Sequence, residues 1–278
     1  MRRPSEVVRR VLQTEKGARV EAHGQYLLQV DPSADKTQIR HAVEAANADE
    51  AVHVIVLAGA GRAFCSGYDL KEFAEAKTAL IQDMPWDPMR DYRVMKRWTE
   101  DFLSIWRSYK PVICKVHGYA VAGGSDIALC ADIVVMAEDA RIGYMPARLW
   151  GCPTTAMWVY RVGAEKAKRM LLTGDTIDGK TAERMGLVYR AVPARQLDST
   201  VDALAKRMAG VPKNHLMMQK LMINQAYENM GLASTQMIAT LFDGIARHSA
   251  EGLWFKRYAM RRGFHEAVKW RDSGKAIP

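Results

Sequence analysis

The chain has 278 residues, 49% of them hydrophobic and 26% charged, which is enough to bury a full core without disulfides or a structural metal. A formal net charge of +9 favours polyanionic partners, either nucleic acid or a ligand carrying several phosphates, although most of such an excess is ordinarily solvated helix surface. Cys65, Cys114, Cys130 and Cys152 are scattered, with no CxxC pair and no histidine cluster at ligand spacing, so neither a zinc module nor a disulfide framework is expected and a reducing cytoplasm fits.

The opening MRRPSEVVRR carries charge but leads into no apolar run, so it reads as neither a signal peptide nor an anchor. Apolar segments such as AVHVIVLAGAG (51–61) are of strand length rather than bilayer length. Short β-rich runs at 51–58, 111–116, 132–137 and 187–192, bounded by Gly, Pro or Asp, read as buried strands. Between them lie helical patterns at 92–109, 124–131 and 164–172, so the first two thirds alternate strand and helix in the α/β manner. Residues 75–100, with two close prolines and two tryptophans, read as part irregular loop before a helix, a place from which pockets are often lined. From about 195 the strand signal disappears and helices are expected near 195–210, 213–229, 233–248 and 251–271. The last of these places Leu253, Trp254, Tyr258 and Phe264 close to helical spacing among Lys and Arg, giving one packing face. The organisation is thus a core over 1–194 with an atypical first forty residues, and a helical region over 195–278.

Two glycine-relaxed turns carry the chemistry. GRAFCSGYDLKE (61–72) and GYAVAGGSD (118–126) each come after an apolar run and before a helix-like pattern, where backbone NH groups lack an internal partner and can face an anion. A pair of such amides is an oxyanion hole. The bland alternative is that the glycines serve only tight turns.

Around these turns the sequence resembles the crotonase superfamily, also called the enoyl-CoA hydratase/isomerase family. The likeness runs through VIVLAGAGRAFCSGYDLKEF, KPVICKVHGYAVAGGSDIALCADIVVMAEDARIGYMP and AKRMLLTGDTIDGKTAERMGLVYRAV. It implies an α/β spiral of ββα units followed by helices that build a trimer or a dimer of trimers. It also implies a coenzyme A thioester substrate with no separately bound cofactor, its carbonyl oxygen held by the amides of Tyr68 and Gly123. Ser66, Asp69, Leu70, Val121, Pro146, Ala147 and Trp150 are then expected near the acyl group, and Lys71 and Lys256, with Arg257, near the phosphates. The most direct expectation is an enzyme of fatty-acyl metabolism acting on an enoyl-CoA, with the soluble cytoplasm as its place.

The sequence departs from the family at two points. Hydratases of this family hold one water between two glutamates; here the first position is Asp126 and the second is Ala147, which cannot move a proton. Asp126 remains the best proton-transfer group, with helix capping as its alternative. Tyr144, Arg148 and Trp150 flank the lost glutamate and offer a phenol, a guanidinium and an indole. Glu72 or Asp91 could instead enter from the 75–100 segment. Asp69 and Asp132 read as turn or helix-end stabilisers, and His117 as a turn-closing polar residue. The second departure is over 10–40, where the usual nucleotide-contacting pattern is absent and Asp31, Pro32 and Lys36 are its nearest remnants. Trp86, Trp98, Trp106 and Trp150 add apolar bulk suited to a core or a pocket. Isomerisation, thioester hydrolysis and plain CoA-thioester binding stay open beside hydration, whereas nucleic acid finds no aromatic-interleaved basic strand.

Overall fold

In the computed structural model, residues 25–30, 36–69 and 82–275 are described. Leu70, Lys71, Glu72, Asp31 and Pro32 fall outside them. The strands are β1 (Gln25–Val30), β2 (Val54–Gly59), β3 (Val112–Val116), β4 (Tyr119–Val121), β5 (Ile133–Ala137), β6 (Arg141–Gly143), β7 (Thr176–Asp178) and β8 (Arg190–Val192). The helices are α1 (Lys36–Ala48), α2 (Pro88–Trp106), α3 (Gly123–Cys130), α4 (Met157–Thr173), α5 (Gly179–Met185), α6 (Leu197–Ala209), α7 (Lys213–Asn229), α8 (Leu232–His248), α9 (Ala250–Arg262) and α10 (Phe264–Asp272).

A larger parallel sheet runs in the order β1-β2-β3-β5-β8, and a small sheet runs β4-β6-β7. Cys65 adds a parallel bridge to Ala120 at the edge of the small sheet. The chain therefore repeats one unit: a strand in the large sheet, a short extended piece in the small one, then a helix. The repeats are β2, Cys65 and α2; β3, β4 and α3; and β5, β6 and α4. Equivalent positions in successive repeats lie side by side, which stacks the turns at 66–68, 122–123 and 144–148 along one edge.

The central strands β2, β3 and β5 are buried on both faces, as crossover connections require. Val54, Ile55, Leu57, Ile113, Cys114, Val134, Val135 and Met136 form the main core with Phe102, Leu103, Ile105 and Trp106 of α2. Asp87 caps α2 by accepting from the amides of Met89 and Arg90, and Pro88 opens the first turn.

The four expected strands are present: three are shorter than expected, and β2 starts later but runs one residue further, to Gly59. Three short elements, β4, β6 and β7, were not legible as strands, because each is three residues long and takes its hydrogen bonds from the neighbouring repeat. Gly163 (φ 75°) breaks α4, and the portion C-terminal to it corresponds to the expected 164–172 stretch. The single helix expected over 251–271 is instead two, separated at Gly263 with φ 85° and ψ 151°. That break folds α10 back on α9, where Trp254 meets Trp270 with ring centroids 4.4 Å apart. A second core of Met95, Trp150, Phe255, Ala259 and Ala267 joins these helices to α2. Among the described residues no helix is long and apolar enough to cross a membrane.

Candidate active site

The 66–68 and 122–124 turns are in direct contact, and three glycines allow it. A Cβ on Gly67 would lie 3.0 Å from Ala122 Cβ and 3.4 Å from the Gly123 amide nitrogen. On Gly124 it would meet the Cys65 carbonyl oxygen at 2.3 Å, an impossible approach. On Gly123 it would press on the Tyr68 ring at 3.2 Å, so that ring lies over the start of α3. Gly67 also needs φ 96°, a conformation few side chains accept.

Ala122 is strained, at φ 52° and ψ −126°. Four bonds hold it: its amide donates to Gly143 O at 2.9 Å, and its carbonyl accepts from Ser125 N, Asp126 N and Ser125 Oγ. This conformation presents the first-turn amides of α3, which have no intrahelical acceptor, beside the Tyr68 turn. Amides so placed at the positive end of a helix suit the stabilisation of an anion.

Asp126, one turn into α3, is 2% exposed. Thr155 Oγ1 donates to its Oδ1 at 2.5 Å. Burial raises its carboxyl from 3.8 to about 7; the Thr155 bond opposes the shift and the neighbouring Asp243 charge adds to it. Asp126 is not the cap of α3, whose N-cap residue is Ala122 and makes no side-chain cap bond. A carboxyl near 7 can take up or give a proton at neutral pH. The phenols of Tyr68 and Tyr144 are pushed well above their ordinary value by burial and then by Asp126, so both stay protonated. Tyr144 donates to Cys152 O at 2.9 Å.

Val121 is buried, with its carbonyl 3.1 Å from where a Gly67 Cβ would stand. Pro146 and Ala147 occupy the third stacked turn, a 3-10 helix at Met145–Arg148. Ser66 and Asp69 are exposed. Trp150, expected along the acyl chain, is instead a core residue: it is 9% exposed and tilts on Phe255 at 5.2 Å, because the C-terminal helices cover it. Arg148 likewise does not serve the site; it bonds Thr173 O at 2.7 Å, Asp175 at 2.9 Å and Asp272 at 3.3 Å. Asp132 accepts from Val112 N at 2.6 Å and Lys220 Nζ at 2.8 Å, tying β3 to α7, and His117 Nε2 meets Gly61 O at 3.0 Å at a turn. Trp106 stacks on Tyr227 in the core, while Trp98 lies 6.0 Å from the Tyr68 ring. Lys36 stands over Trp98, 3.5 Å from its ring centroid. Lys256 is half-buried on α9.

A cavity of about 750 Å³ reaches the rim of the site at Ser66 and Gly67, with Ile39, Phe64, Tyr119 and Ile127 among its described walls. Arg62 is the charged residue on those walls. Among the described residues no group of His, Cys, Asp or Glu is arranged to hold a metal ion.

The family model for enoyl-CoA hydratase/isomerase matches residues 35–266. The chain belongs to the enoyl-CoA hydratase/isomerase family. A solved enoyl-CoA hydratase from Mycobacterium smegmatis superposes with a TM-score of 0.84 at 41% identity, over 90% of this chain and 91% of that one. An enoyl-CoA hydratase/isomerase from Xanthobacter autotrophicus Py2 gives 0.80 at 26% identity, over 92% and 96%. A protein of Rhizobium meliloti named "Probable enoyl-CoA hydratase" is 33% identical over 195 residues, 67% of this chain and 69% of its own length. The crotonase-type spiral expected from the sequence is thus the architecture of this family member.

One residue of the site is not apparent from sequence. Asp243, on α8, is 5% exposed and accepts from Cys152 N at 2.9 Å and Arg247 Nε at 3.1 Å. Asp91, a group that could have entered the pocket, is instead clamped by Arg247 through two bonds of 2.9 and 2.8 Å. A signal for this was present. Gln236, Thr240, Asp243 and Arg247 recur at helical spacing and are buried, while Met237, Ile238, Phe242 and Ile245 of the same helix are exposed. The helix is polar inside and apolar outside.

Proposed function

We propose that this family member is an enzyme acting on an acyl- or enoyl-CoA thioester by hydratase/isomerase-type chemistry. The thioester oxygen sits against the amides of Tyr68 and Gly123, which stabilise the enolate as negative charge moves onto that oxygen. Asp126 takes the proton from carbon and returns it, a sequence that one group can complete for double-bond migration. Water addition requires a second group, and Ala147 supplies none. Coenzyme A arrives as part of the substrate and no separate cofactor enters the scheme. Its phosphates meet Arg62 on the cavity wall or the basic α9 with Lys256. Lys71, which lies outside the described residues, is the third candidate.

The observation that carries this reading is the contact of the Gly67 turn with the Gly123 amide beside a buried carboxyl poised near 7. The test is turnover of purified protein with conjugated and non-conjugated enoyl-CoA thioesters, monitored by ultraviolet absorbance and product analysis. Asp126→Asn is expected to lower kcat by about a hundredfold or more. Turnover that survives this change would remove Asp126 from the mechanism. Binding of acyl-CoA with no turnover over a broad panel would favour a thioester-binding protein, the reading that Ala147 motivates.

The exposed apolar side chains Met218, Leu221, Met222 and Ile223 of α7, with Met237, Ile238, Phe242 and Ile245 of α8, support assembly as a trimer or dimer of trimers. Sedimentation velocity measures that directly.

A further inference from the structure

The loop at 149–156 connects the Pro146 turn to α4 and is fastened at three points. Tyr144 holds Cys152 by its carbonyl, Asp243 holds Cys152 by its amide, and Gln236 Nε2 holds the Thr155 carbonyl at 3.1 Å. Two of the three fasteners come from the inward polar face of α8. The same loop carries Thr155, whose hydroxyl grips Asp126. Gly151 lies within this framework: a Cβ there would stand 2.8 Å from Pro146 Cβ, 3.3 Å from Tyr144 Oη and 3.5 Å from Asp243 Oδ1. The Asp243 carboxylate therefore reaches the wall next to Pro146, beside the position where Ala147 offers no charge.

We propose that Asp243 is a positioning residue for Asp126, fixing the 149–156 loop through the Cys152 amide and placing a second buried negative charge beside the proton-transfer group. This rests on the reading of Asp126 as that group. Two carboxylates, Asp91 and Asp243, share the one guanidinium of Arg247, so the buried set carries a net negative charge in the low-dielectric interior. The other titratable groups around Asp126 are Tyr68 on the first turn, Tyr144 and Cys152 on the 144–156 segment, and Cys130 on α3 itself. All four stay protonated and neutral at pH 7, since burial raises each above its ordinary value. Burial also pushes the Asp243 carboxyl up, while the Arg247 guanidinium and the Cys152 amide favour its ionised form, and it is this charge that raises Asp126.

Asp243→Asn keeps an acceptor for Cys152 N and leaves Asp91 and Arg247 as a balanced pair, so the fold is expected to survive. Should it not, Asp243→Ser retains an oxygen at that place without the charge. The readout is the titration of the Asp126 carboxyl by 13C NMR on aspartate-labelled protein, assigned by its loss in Asp126→Asn, together with the pH dependence of kcat/KM. Removing the Asp243 charge is expected to lower the midpoint by about half a unit or more. In the activity assay kcat should fall with KM little changed, because the thioester corner is untouched. Thr155→Val, which removes a bond to the ionised form, should move the midpoint the other way. An unchanged NMR midpoint in a folded Asp243 variant overturns the proposal. A shifted NMR midpoint with full activity in Asp126→Asn would instead sustain the coupling and remove only the catalytic reading of Asp126.

Discussion

The two walls of the site are made of different material. One is main chain: the 66–68 and 122–124 turns, locked together where three glycines let carbonyls and amides approach to distances that a Cβ would forbid. The other is side chain: Asp126, Thr155, Tyr144 and Asp243, drawn from α3, the 144–156 segment and α8. The backbone wall acts through main-chain amides fixed by sterics, and its phenol, Tyr68, stays protonated, so it does not depend on pH near neutrality. The side-chain wall is buried, short of positive charge and tuned by each neighbour, so its chemistry shifts with pH and with single substitutions. Substitutions in the second wall can therefore change the site while leaving the first wall intact, and Ala147 lies on that second side.

The backbone wall should break most abruptly. Gly124→Ala places a methyl group where the Cys65 carbonyl stands and must push the two turns apart. Loss of one donor costs on the order of a hundredfold to a thousandfold in kcat, and the overpacking about 1–3 kcal/mol of stability, read from turnover and urea denaturation. Full activity in this variant would mean that the turns do not act as one corner.

The pH dependence separates the walls next. Because Asp126 titrates near 7 in the fold, kcat/KM should rise as pH increases through about 7, and that limb should vanish in Asp126→Asn. Stability must respond with the opposite sense. The neutral carboxyl is the favoured buried form, so its stabilising share is complete below about 4 and is lost as pH rises through about 7. Relative to Asp126→Asn, the wild type should weaken over that window by up to about 4 kcal/mol, measured by denaturation at several pH values. A pH-independent difference would show that the carboxyl is not shifted.

Ala147→Glu sharpens the same comparison, since it restores a second carboxylate on the side-chain wall without touching the backbone one. It is expected to raise water addition to a conjugated enoyl-CoA relative to double-bond migration, scored by product ratio. The smallest effect belongs at the rim of the first wall: Lys36→Met removes the cation over Trp98 and the Tyr68 ring and should cost about 0.5–1 kcal/mol of stability, read by urea denaturation.

The backbone wall is legible in the sequence because its constraints are local. Glycines after an apolar run and before a helix can be read from GYAVAGGSD alone, and the family resemblance then points to both amides. The side-chain wall is legible only in Asp126 and Tyr144. Arg148 and Trp150 sit close to Pro146 in sequence, yet Arg148 turns to Asp175 and Asp272 while Trp150 turns to Phe255. Asp243 lies far along the chain from Asp126, and nothing in the local pattern sets the distance between them.

What the sequence determined by itself was the family, the alternation of buried strands and helices, the two glycine turns and the absence of a carboxylate at Ala147. Each of these is written in short-range pattern, where residue type and spacing limit the backbone directly. What only the tertiary structure decided was which polar groups share the buried space around Asp126. Helix α8 turns its polar stripe inward and its apolar stripe outward, against the usual sense, because the inner stripe meets Asp91, Cys152 and Thr155 rather than an apolar core. Long-range packing chooses those partners, and with them the charge that Asp126 must share.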